Sequence, residues 1–342
     1  MRQHPGSPGA HPKKASEVAR EVIRRMEERV SDPRAVWGIP WGLPGLDKLT
    51  GGIHSPELAI LTARPSVGKT QMMVQMADSV FGYFLSEDGQ REYPGGMVKL
   101  VLCESTAEVF YRRWACMRSG VSQRMVRDGS IGQSPEKMSR FYQAMEEITS
   151  PQIEILDDAQ TLEQVVSFLK SGRTAWWALD YVQKCPLTPN RPNDGGVAAI
   201  TLISGALTEV AKLKAPGLAL AHTPREVDKR EDRRPRLGDI KGGSALEGDA
   251  RVVMGLYREA VYERMPEDGS QQQAQNAELI LLKNNDGDSG VSIPLLFYPR
   301  RGIFQDLSNV VLADDDDAVL GLSDLPDLPD LPDLSLESLK GA

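Results

Sequence analysis

The stretch LAILTARPSVGKTQMM at residues 58–73 determines the fold that we expect for this chain. Its first six residues form an apolar run typical of a buried strand, and its last residues begin an apolar helix. Between them, ARPSVGKT at 63–70 follows the pattern G-x-x-x-x-G-K-[ST], except that Ala63 replaces the first glycine. In this pattern the backbone N–H groups of the loop and of the helix N-terminus surround phosphate oxygens. The stretch therefore predicts a phosphate-binding loop between a strand and a helix.

The side chains at the end of this loop fit a nucleoside triphosphate and its metal ion. Lys69 would bring positive charge to the β- and γ-phosphates, and the Thr70 hydroxyl would bind Mg²⁺. Gly68 lets the backbone approach a ligand closely. Ala63 is a mild departure, because a small residue at that place can still adopt a negative φ. We expect ATP and Mg²⁺ as cofactors, with a nucleotide-binding loop made of Ala63, Arg64, Pro65, Ser66, Val67, Gly68, Lys69 and Thr70.

Two carboxylates follow other apolar runs and complete the predicted site. WWALDY at 176–181 places Asp180 at the end of a buried run, from which it can hold Mg²⁺. VKLVLCE at 98–104 places Glu104 just beyond another run, where a carboxylate can deprotonate the attacking water. Each residue alone could simply be a polar group at a strand end. Beside a phosphate-binding loop, the metal-holding interpretation of Asp180 is favoured, and Glu104 is a candidate base.

Strand-like runs alternate with helical ones through the central part of the chain. This alternation predicts an α/β fold with a mostly parallel twisted sheet and helices on both faces. The later runs at 252–258 and 278–283 lack a long helix between them, so we expect antiparallel strands at one edge. The segments 185–197 and 223–245 are rich in proline, glycine and charge, and they predict long loops at strand ends, where such sheets carry their function.

The flanking segments differ from the core. Residues 1–14 have no periodicity and predict disorder, whereas residues 15–33 contain an amphipathic helix with an apolar stripe. Periodicity alone favours docking of that helix on its own domain, with docking on a neighbouring subunit as the alternative. The tail at 313–342 repeats the tripeptide D-L-P, which predicts disorder. A solubilising role is modestly favoured over a role in partner docking or DNA mimicry.

Composition excludes several classes of protein. The three cysteines, Cys103, Cys116 and Cys185, form no C-x-x-C pair, which argues against a disulfide framework or a zinc site and fits a reducing cytoplasm. No apolar run approaches the length of a membrane span, and residues 1–14 lack a secretory signal. The net charge of −8 lies entirely in 314–342, so the rest of the chain is formally neutral, unlike a basic DNA-coating protein.

Many segments, in the same order, resemble the C-terminal motor domain of DnaB-type replicative helicases, which is a RecA-like P-loop NTPase. The resemblance implies an ATP-dependent, ring-shaped DNA helicase, usually a hexamer, that translocates on single-stranded DNA during replication. Because only residues 1–33 precede the motor at 34–312, we expect a short form similar to phage or plasmid helicases. The segments that carry the resemblance are GIPWGLPGLDKLTGGI (38–53), ARPSVGKT (63–70), ESTAEVFYRRW (104–114), SGVSQRMVRDG (119–129), LDD (156–158), DYVQ (180–183), RRPRLGDIKGGSALEGDARVVMGLYRE (233–259) and AELILLKNNDG (277–287).

The resemblance also implies roles for particular residues. It makes Glu104 the catalytic base, Lys69 a catalytic phosphate contact and Lys283 part of a finger that completes a neighbour's ATP site. It places Thr70 and Asp180 at the metal. It further implies nucleotide contacts from Gln183, His222 and Arg225, and a DNA-binding loop of Lys241, Gly242, Gly243 and Ser244. The helix at 15–33 would dock on an adjacent subunit, and primase, a loader or a single-strand-binding protein are candidate partners.

The chain departs from the family pattern at several of these places. His222 stands where the family usually has Gln, and its charge would vary with pH. Asn285 stands where the finger arginine is expected, so Lys283 must suffice, Arg300 or Arg301 must substitute, or turnover is slow. The loop at 241–242 has also lost an Arg-Glu pair. Two alternatives therefore stay open: a catalytically weakened RecA-like ATP-binding regulator or loader, and a RecA- or RadA-like recombinase.

Overall fold

A mixed sheet of nine strands organises the part of the chain that this computed structural model describes. The described residues are 14–31, 36–85, 96–150, 152–188, 193, 195–213, 215–262 and 274–308. The strands are β1 (Leu58–Ala63), β2 (Met97–Leu102), β3 (Ile153–Leu156), β4 (Thr174–Asp180), β5 (Gly217–His222), β6 (Val252–Arg258), β7 (Gln275–Asn284), β8 (Val291–Tyr298) and β9 (Ile303–Asp306).

The order of the strands is β3-β2-β4-β5-β1-β6-β7-β8-β9. From β3 to β6 all neighbours are parallel, and from β6 to β9 they are antiparallel. This arrangement confirms the predicted mostly parallel sheet with antiparallel strands at one edge. Consequently the carboxyl ends of β1, β2, β4 and β5 lie along one edge, where ligands of parallel sheets bind.

Helices cover both faces of the parallel part. Alternate residues of β1 face opposite sides: Ala59 and Leu61 belong to one buried cluster, whereas Leu58 and Ile60 belong to the other. The first cluster includes residues of α3, α4 and α6, and the second includes residues of α7, α8 and α9. The helices are α1 (Ala15–Ser31), α2 (Pro44–Thr50), α3 (Lys69–Leu85), α4 (Ala107–Ser119), α5 (Gln123–Arg127), α6 (Pro135–Ile148), α7 (Leu162–Lys170), α8 (Val197–Leu213) and α9 (Ser244–Asp249).

Local signals account for the ends of two helices near the site. Thr106 begins α4, its side chain accepting a hydrogen bond from the Val109 N–H, and Gly120 ends it in the left-handed conformation with φ of 70°. At α7, the side chains of Thr161 and Gln164 form a capping box. These caps satisfy backbone groups that the helices themselves leave unpaired.

Three strands, the two edge strands β3 and β9 and the neighbouring β8, are absent from the sequence-based prediction. Both β3 and β9 have only four residues, too few for a clear alternating pattern. In β8 the interruption by Pro294 obscures the pattern, although its inward residues do alternate with partly exposed ones. Pairing along the sheet, rather than local sequence, therefore decides these strands.

The helix α1 is outside the packed core. None of its residues is buried, and its apolar stripe is exposed: 45% for Val18, 62% for Val22, 55% for Met26 and 75% for Val30. Docking of α1 on its own domain, which periodicity alone favoured, is therefore not observed. The predictions for residues 1–13 and for the acidic tail lie outside the described residues. Among the described helices, none combines the length and apolarity that a membrane span requires.

Candidate active site

The loop between β1 and α3 forms one wall of the site. Gly68 has φ of +118°, and a Cβ atom at that position would lie 2.9 Å from the Phe304 ring, so glycine is required both by conformation and by space. Arg258, at the end of β6, donates a hydrogen bond to the Ser66 carbonyl and lies over the Phe297 ring. The antiparallel edge thus supports the loop, a contact that the sequence did not indicate.

Lys69 lies at the first position of α3 and is only 6% exposed. Its ammonium donates hydrogen bonds to the carbonyls of Ala63 at 2.8 Å and Arg64 at 3.1 Å. Burial lowers the pKa of Lys69 to about 8, while the negative charges of Asp180 and Glu104 act in the opposite direction. A phosphate at the mouth of the loop would lie beside this cation. A hydrogen bond between the two would be charge-assisted and therefore strong.

Thr70 and Asp180 meet across the sheet. The Thr70 hydroxyl donates to a carboxylate oxygen of Asp180 at a distance of 2.7 Å. Asp180 is 3% exposed, and burial raises its pKa, although the Thr70 hydrogen bond and the Lys69 charge oppose the shift. A hydroxyl and a carboxylate beside a phosphate-binding loop are the hard oxygen donors that Mg²⁺ prefers. These donors fit the metal that the sequence implies.

Glu104 lies just beyond β2, at the rim of the same cavity. Its carboxylate forms an ion pair with the Lys184 ammonium at 2.9 Å, and both side chains are 49% exposed. The hydrogen bond to Glu104 raises the pKa of Lys184. The predicted base is therefore ion-paired with a lysine that the sequence reasoning did not identify.

A cavity of about 450 Å³ brings the predicted groups together. It also brings in Arg113, Gln71 and Gln123, which the sequence reasoning missed. Arg113 is half-buried on α4 beside the buried residues Phe110 and Trp114, so the helical spacing could have identified it. Burial lowers the pKa of Arg113, against the charges of Asp180 and Glu104. The cavity is lined by Pro65, Ser66, Gly68, Lys69, Thr70, Gln71, Glu104, Arg113, Gln123, Asp180 and His222.

Several residues predicted to contact nucleotide turn their side chains elsewhere. Ala63 and Val67 are fully buried in the core, so only their backbone atoms can serve a ligand. The Arg64 guanidinium binds Asp228 through two hydrogen bonds of 2.9 Å and 2.7 Å. Arg225 is exposed in a short 3-10 turn and does not line the cavity. Core packing explains the difference for Ala63 and Val67, and the Asp228 carboxylate explains it for Arg64.

His222 ends β5 at the cavity wall. Its ring stacks on the ring of Tyr181, with centroids 3.9 Å apart and an interplanar angle of 12°. Burial, assisted by the positive charge of Lys69, lowers the pKa of His222 to about 4. The charge of the ring therefore changes around pH 4, and the ring is neutral at neutral pH.

The segment predicted to bind DNA lies next to His222. The Lys241 N–H donates to the His222 carbonyl at 3.1 Å, and the Lys241 side chain is exposed. Gly242 has φ of +70°, and a Cβ atom there would lie 3.0 Å from the Gly195 carbonyl oxygen. Gly243 is buried, whereas Ser244 is exposed at the start of α9. Part of the preceding charge run is engaged in ion pairs with residues outside it, through Arg64–Asp228, Arg230–Asp239 and Arg234–Glu278.

Gln183 does not line the cavity either. Its amide oxygen accepts from the His222 N–H at 3.0 Å, and its amide nitrogen donates to the Lys241 carbonyl at 3.1 Å. The side chain lies in a short 3-10 turn directly after β4 and is 8% exposed. The predicted contact with the γ-phosphate is thus replaced by contacts with backbone.

Lys283 lies away from this cavity. It pairs with Val253 near the start of β6, whereas the phosphate-binding loop follows the end of β1. Its ammonium donates to the Glu247 carbonyl at 2.7 Å. By contrast, Arg301 lies near Gly120 and the adjoining Gly302 lies against Gln71, on the cavity side. Lys283 therefore does not line the cavity of its own subunit.

The sequence of this chain is similar to those of known proteins. A family model of the DnaB-like helicase C-terminal domain matches residues 38–306. The replicative DNA helicase DnaB of Geobacillus stearothermophilus is 27% identical over 279 residues, which cover 80% of this chain and 57% of that protein. The replicative DNA helicase DnaC of Bacillus subtilis is 27% identical over 292 residues, covering 83% and 59%. The chain thus spans less than two thirds of the length of these relatives.

Solved structures agree with the fold. The ATPase domain of G40P superposes with a TM-score of 0.71 at 25% identity, covering 85% of this chain and 98% of that chain. A DnaB-like replicative helicase, solved in a study of its interactions with primase, superposes with a TM-score of 0.70 at 24% identity, covering 86% and 67%. These superpositions confirm the predicted RecA-like α/β class. Since the family model spans most of the chain, the chain belongs to the DnaB-like helicase C-terminal domain family.

Proposed function

We propose that this chain is an ATP-dependent motor that assembles into a ring, usually a hexamer in its family, and translocates on single-stranded DNA as a replicative helicase. The observation that carries the proposal is the 2.7 Å hydrogen bond between Thr70 and Asp180, beside the Lys69 ammonium. This contact places two oxygen donors for a metal ion, Thr70 and Asp180, next to a phosphate-binding cation at the start of α3. A motor driven by a nucleoside triphosphate needs this set of groups.

In this proposal each residue of the cavity has a definite task. Lys69 binds phosphate oxygens, and Thr70 and Asp180 hold Mg²⁺, which supplies positive charge to the β- and γ-phosphates when it is bound. Glu104 takes a proton from the attacking water, and the ion pair with the Lys184 ammonium orients that carboxylate. Arg113 adds a second cation to the cavity wall.

Two features support assembly of several subunits. The apolar stripe of α1 is exposed in the isolated chain, and burying it would remove Val22 and Met26 from water. Lys283 lies too far from its own cavity lining to serve it, but an adjacent copy could receive it. We therefore propose α1 as a linker helix that docks on the next subunit, with Lys283 acting in that subunit's site.

The loop from Lys241 to Ser244 is the proposed DNA contact. It offers one exposed cation, Lys241, and a half-exposed glycine, Gly242, whose backbone phosphates can approach, whereas the Gly243 N–H already donates to the Ile240 carbonyl. Because acidic and basic residues alternate in the charged run before it, we assign the interaction to the loop rather than to that run. Primase, a loader or a single-strand-binding protein remain proposed partners of the assembled ring.

A second candidate function is an ATP-binding regulator or loader with little turnover. It is supported by Asn285, which stands where the family pattern expects an arginine, and by the Lys283 ammonium, which is bound to carbonyls of its own subunit. An arginine finger contributes roughly 10³- to 10⁵-fold in comparable enzymes. Such a regulator would bind ATP as tightly as the motor does.

The decisive experiment measures ATP hydrolysis with and without single-stranded DNA, beside the mass of the ATP-bound oligomer. The motor proposal predicts a ring-sized particle and turnover that rises on addition of DNA. Tight ATP binding with no DNA-stimulated hydrolysis would favour the regulator. An open filament whose length grows with protein concentration would favour the recombinase alternative.

A further inference from the structure

A closed circuit of three hydrogen bonds surrounds Gln183. Its amide oxygen accepts from the His222 N–H, and its amide nitrogen donates to the Lys241 carbonyl. The Lys241 N–H in turn donates to the His222 carbonyl at 3.1 Å. Together these bonds use the backbone N–H and C=O groups of both His222 and Lys241. A shift of His222 cannot leave Lys241 in place without breaking one of these bonds.

The circuit lies between two functional regions. On one side, His222 lines the cavity that contains Lys69 and Asp180. On the other side, Lys241 begins the loop whose next residue, Gly242, has a positive φ and lies against the backbone of Gly195. Gln183 itself follows the metal-binding carboxylate of Asp180 by three positions in the chain. The amide is therefore positioned between the end of β4, the end of β5 and the proposed DNA loop.

The chemistry of the side chain suits this place. An amide presents a donor and an acceptor side by side, which matches one backbone N–H and one backbone C=O. A carboxylate of the same shape could accept from His222 but could not donate to Lys241. Since Gln183 is 8% exposed, water cannot readily replace a lost partner.

We propose that Gln183 is a positioning residue that couples the nucleotide cavity to the DNA loop. The inference rests on the proposed motor function and names the side chain through which its two sites communicate. Movement of His222 at the cavity wall is transmitted by the amide to the Lys241 backbone, and binding at the loop acts back on His222. Because coupling between two binding sites is reciprocal, both directions should weaken together when the amide is altered.

The test compares Gln183→Glu with a matched control, Gln75→Glu. Gln75 makes the same kind of amide clamp elsewhere, since its nitrogen donates to the Phe304 carbonyl and its oxygen accepts from the Phe304 N–H, both at 2.8 Å. Each variant loses a hydrogen-bond donor and gains a charge in the protein. Any loss of stability that comes from these changes alone should therefore appear in both variants. Thermal unfolding confirms that the proteins are folded. If Gln183→Glu does not fold, Gln183→Asn retains the amide but shortens its reach.

The readouts are basal ATP turnover, KM for ATP, stimulation of turnover by single-stranded DNA, and DNA affinity with and without a non-hydrolysable ATP analogue. We expect Gln183→Glu to retain basal turnover and KM but to lose roughly 5- to 150-fold of the mutual effect of nucleotide and DNA, the range typical of coupled sites. Gln75→Glu should retain the stimulation. A Gln183→Glu protein that is still stimulated like wild type would overturn the inference.

Other outcomes are equally informative. Parallel loss of basal and stimulated turnover in the Gln183 variants would show a merely structural role and reject the coupling. Absence of any stimulation in the wild-type protein would defeat the proposed motor function itself, and the coupling with it. Stimulation in wild type that persists in the variants would defeat the coupling alone.

Discussion

The Thr70 hydroxyl and the Asp180 carboxylate, 110 positions apart in the chain, are joined by a hydrogen bond of 2.7 Å. The bond connects the first turn of α3, which follows β1 in the chain, with the end of β4. In the sheet, β5 lies between β1 and β4. Its two oxygen atoms face the cavity that also contains the Lys69 ammonium. The proposed metal site depends on this contact.

Replacing Lys69 with alanine should strongly weaken nucleotide binding. The substitution removes a buried ammonium, and a charge-assisted hydrogen bond contributes about 1.5–3 kcal/mol, so we expect a loss of roughly 10- to 100-fold in affinity. Fluorescence titration with a labelled ATP analogue measures the effect. Lys48→Ala, an exposed lysine on α2, is the control. Wild-type affinity in Lys69→Ala would contradict the assignment of residues 63–70 as the phosphate-binding loop.

Replacing Glu104 with glutamine should leave ATP bound while hydrolysis stops. The amide preserves the shape but cannot take a proton, and general-base catalysis contributes roughly 10²- to 10⁴-fold in rate. Single-turnover hydrolysis and analogue binding separate the two effects. Glu108→Gln, on the exposed side of α4, serves as control. Continued turnover in Glu104→Gln would assign the base to another group.

Nucleotide affinity should fall as the pH rises through about 8. The pKa of Lys69 is lowered to about 8 in the folded protein, so its ammonium becomes neutral near that pH and no longer attracts phosphate. The effect of Lys69 on folding stability has the opposite direction. Between pH 8 and the ordinary lysine pKa of 10.5, the Lys69 amine is protonated in the unfolded chain but neutral in the folded protein. The contribution of Lys69 to the free energy of unfolding therefore increases as the pH rises through this range. Binding curves from pH 6.5 to 9.5 check the first effect. Affinity that rises steadily through pH 8 would contradict it.

His222→Gln should reduce the loss of stability on acidification. The folded pKa of His222 is about 4 against an ordinary value of 6.5, so in this window the unfolded state takes up a proton that the folded state refuses. Stability from this group is complete above pH 6.5 and declines toward pH 4. Denaturant unfolding at several pH values compares the slopes. An identical slope in wild type and His222→Gln would show that the ring is not a source of acid sensitivity.

Charged residues on the apolar stripe of α1 should prevent ring assembly without unfolding the subunit. Val22→Glu together with Met26→Glu alters side chains that are 62% and 55% exposed, so the isolated domain loses no packing. Analytical ultracentrifugation with ATP measures the oligomer, and deletion of residues 1–33 should act in the same direction. Substitutions on the charged face, such as Arg20→Glu, are the control. An unchanged oligomer mass in the stripe variants would reject docking of α1 between subunits.

Local signals explain why much of the site could be predicted from the sequence. The phosphate-binding loop follows a six-residue apolar strand and ends in the sequence glycine-lysine-threonine, and Asp180 ends a fully buried strand. Such features depend on adjacent residues, which the sequence shows directly. The fold class followed for the same reason, because alternating apolar segments indicate a parallel sheet wherever they occur.

Other contacts depend on which distant groups meet, and these were not predicted. Lys184 pairs with Glu104 across 80 positions, and Gln183 binds backbone of β5 and of the following loop. No spacing rule relates such residues. The neutrality of His222 likewise follows from burial and the nearby Lys69 charge, which only the folded arrangement reveals.

The most direct test of the central claim is a crystal structure of the protein with a non-hydrolysable ATP analogue and Mn²⁺, located by anomalous scattering. The account predicts one manganese ion at the turn, bound by the Thr70 hydroxyl and held by Asp180 directly or through water, with the terminal phosphates against Lys69. A triphosphate bound elsewhere, or a metal ion that contacts neither Thr70 nor Asp180, would contradict it.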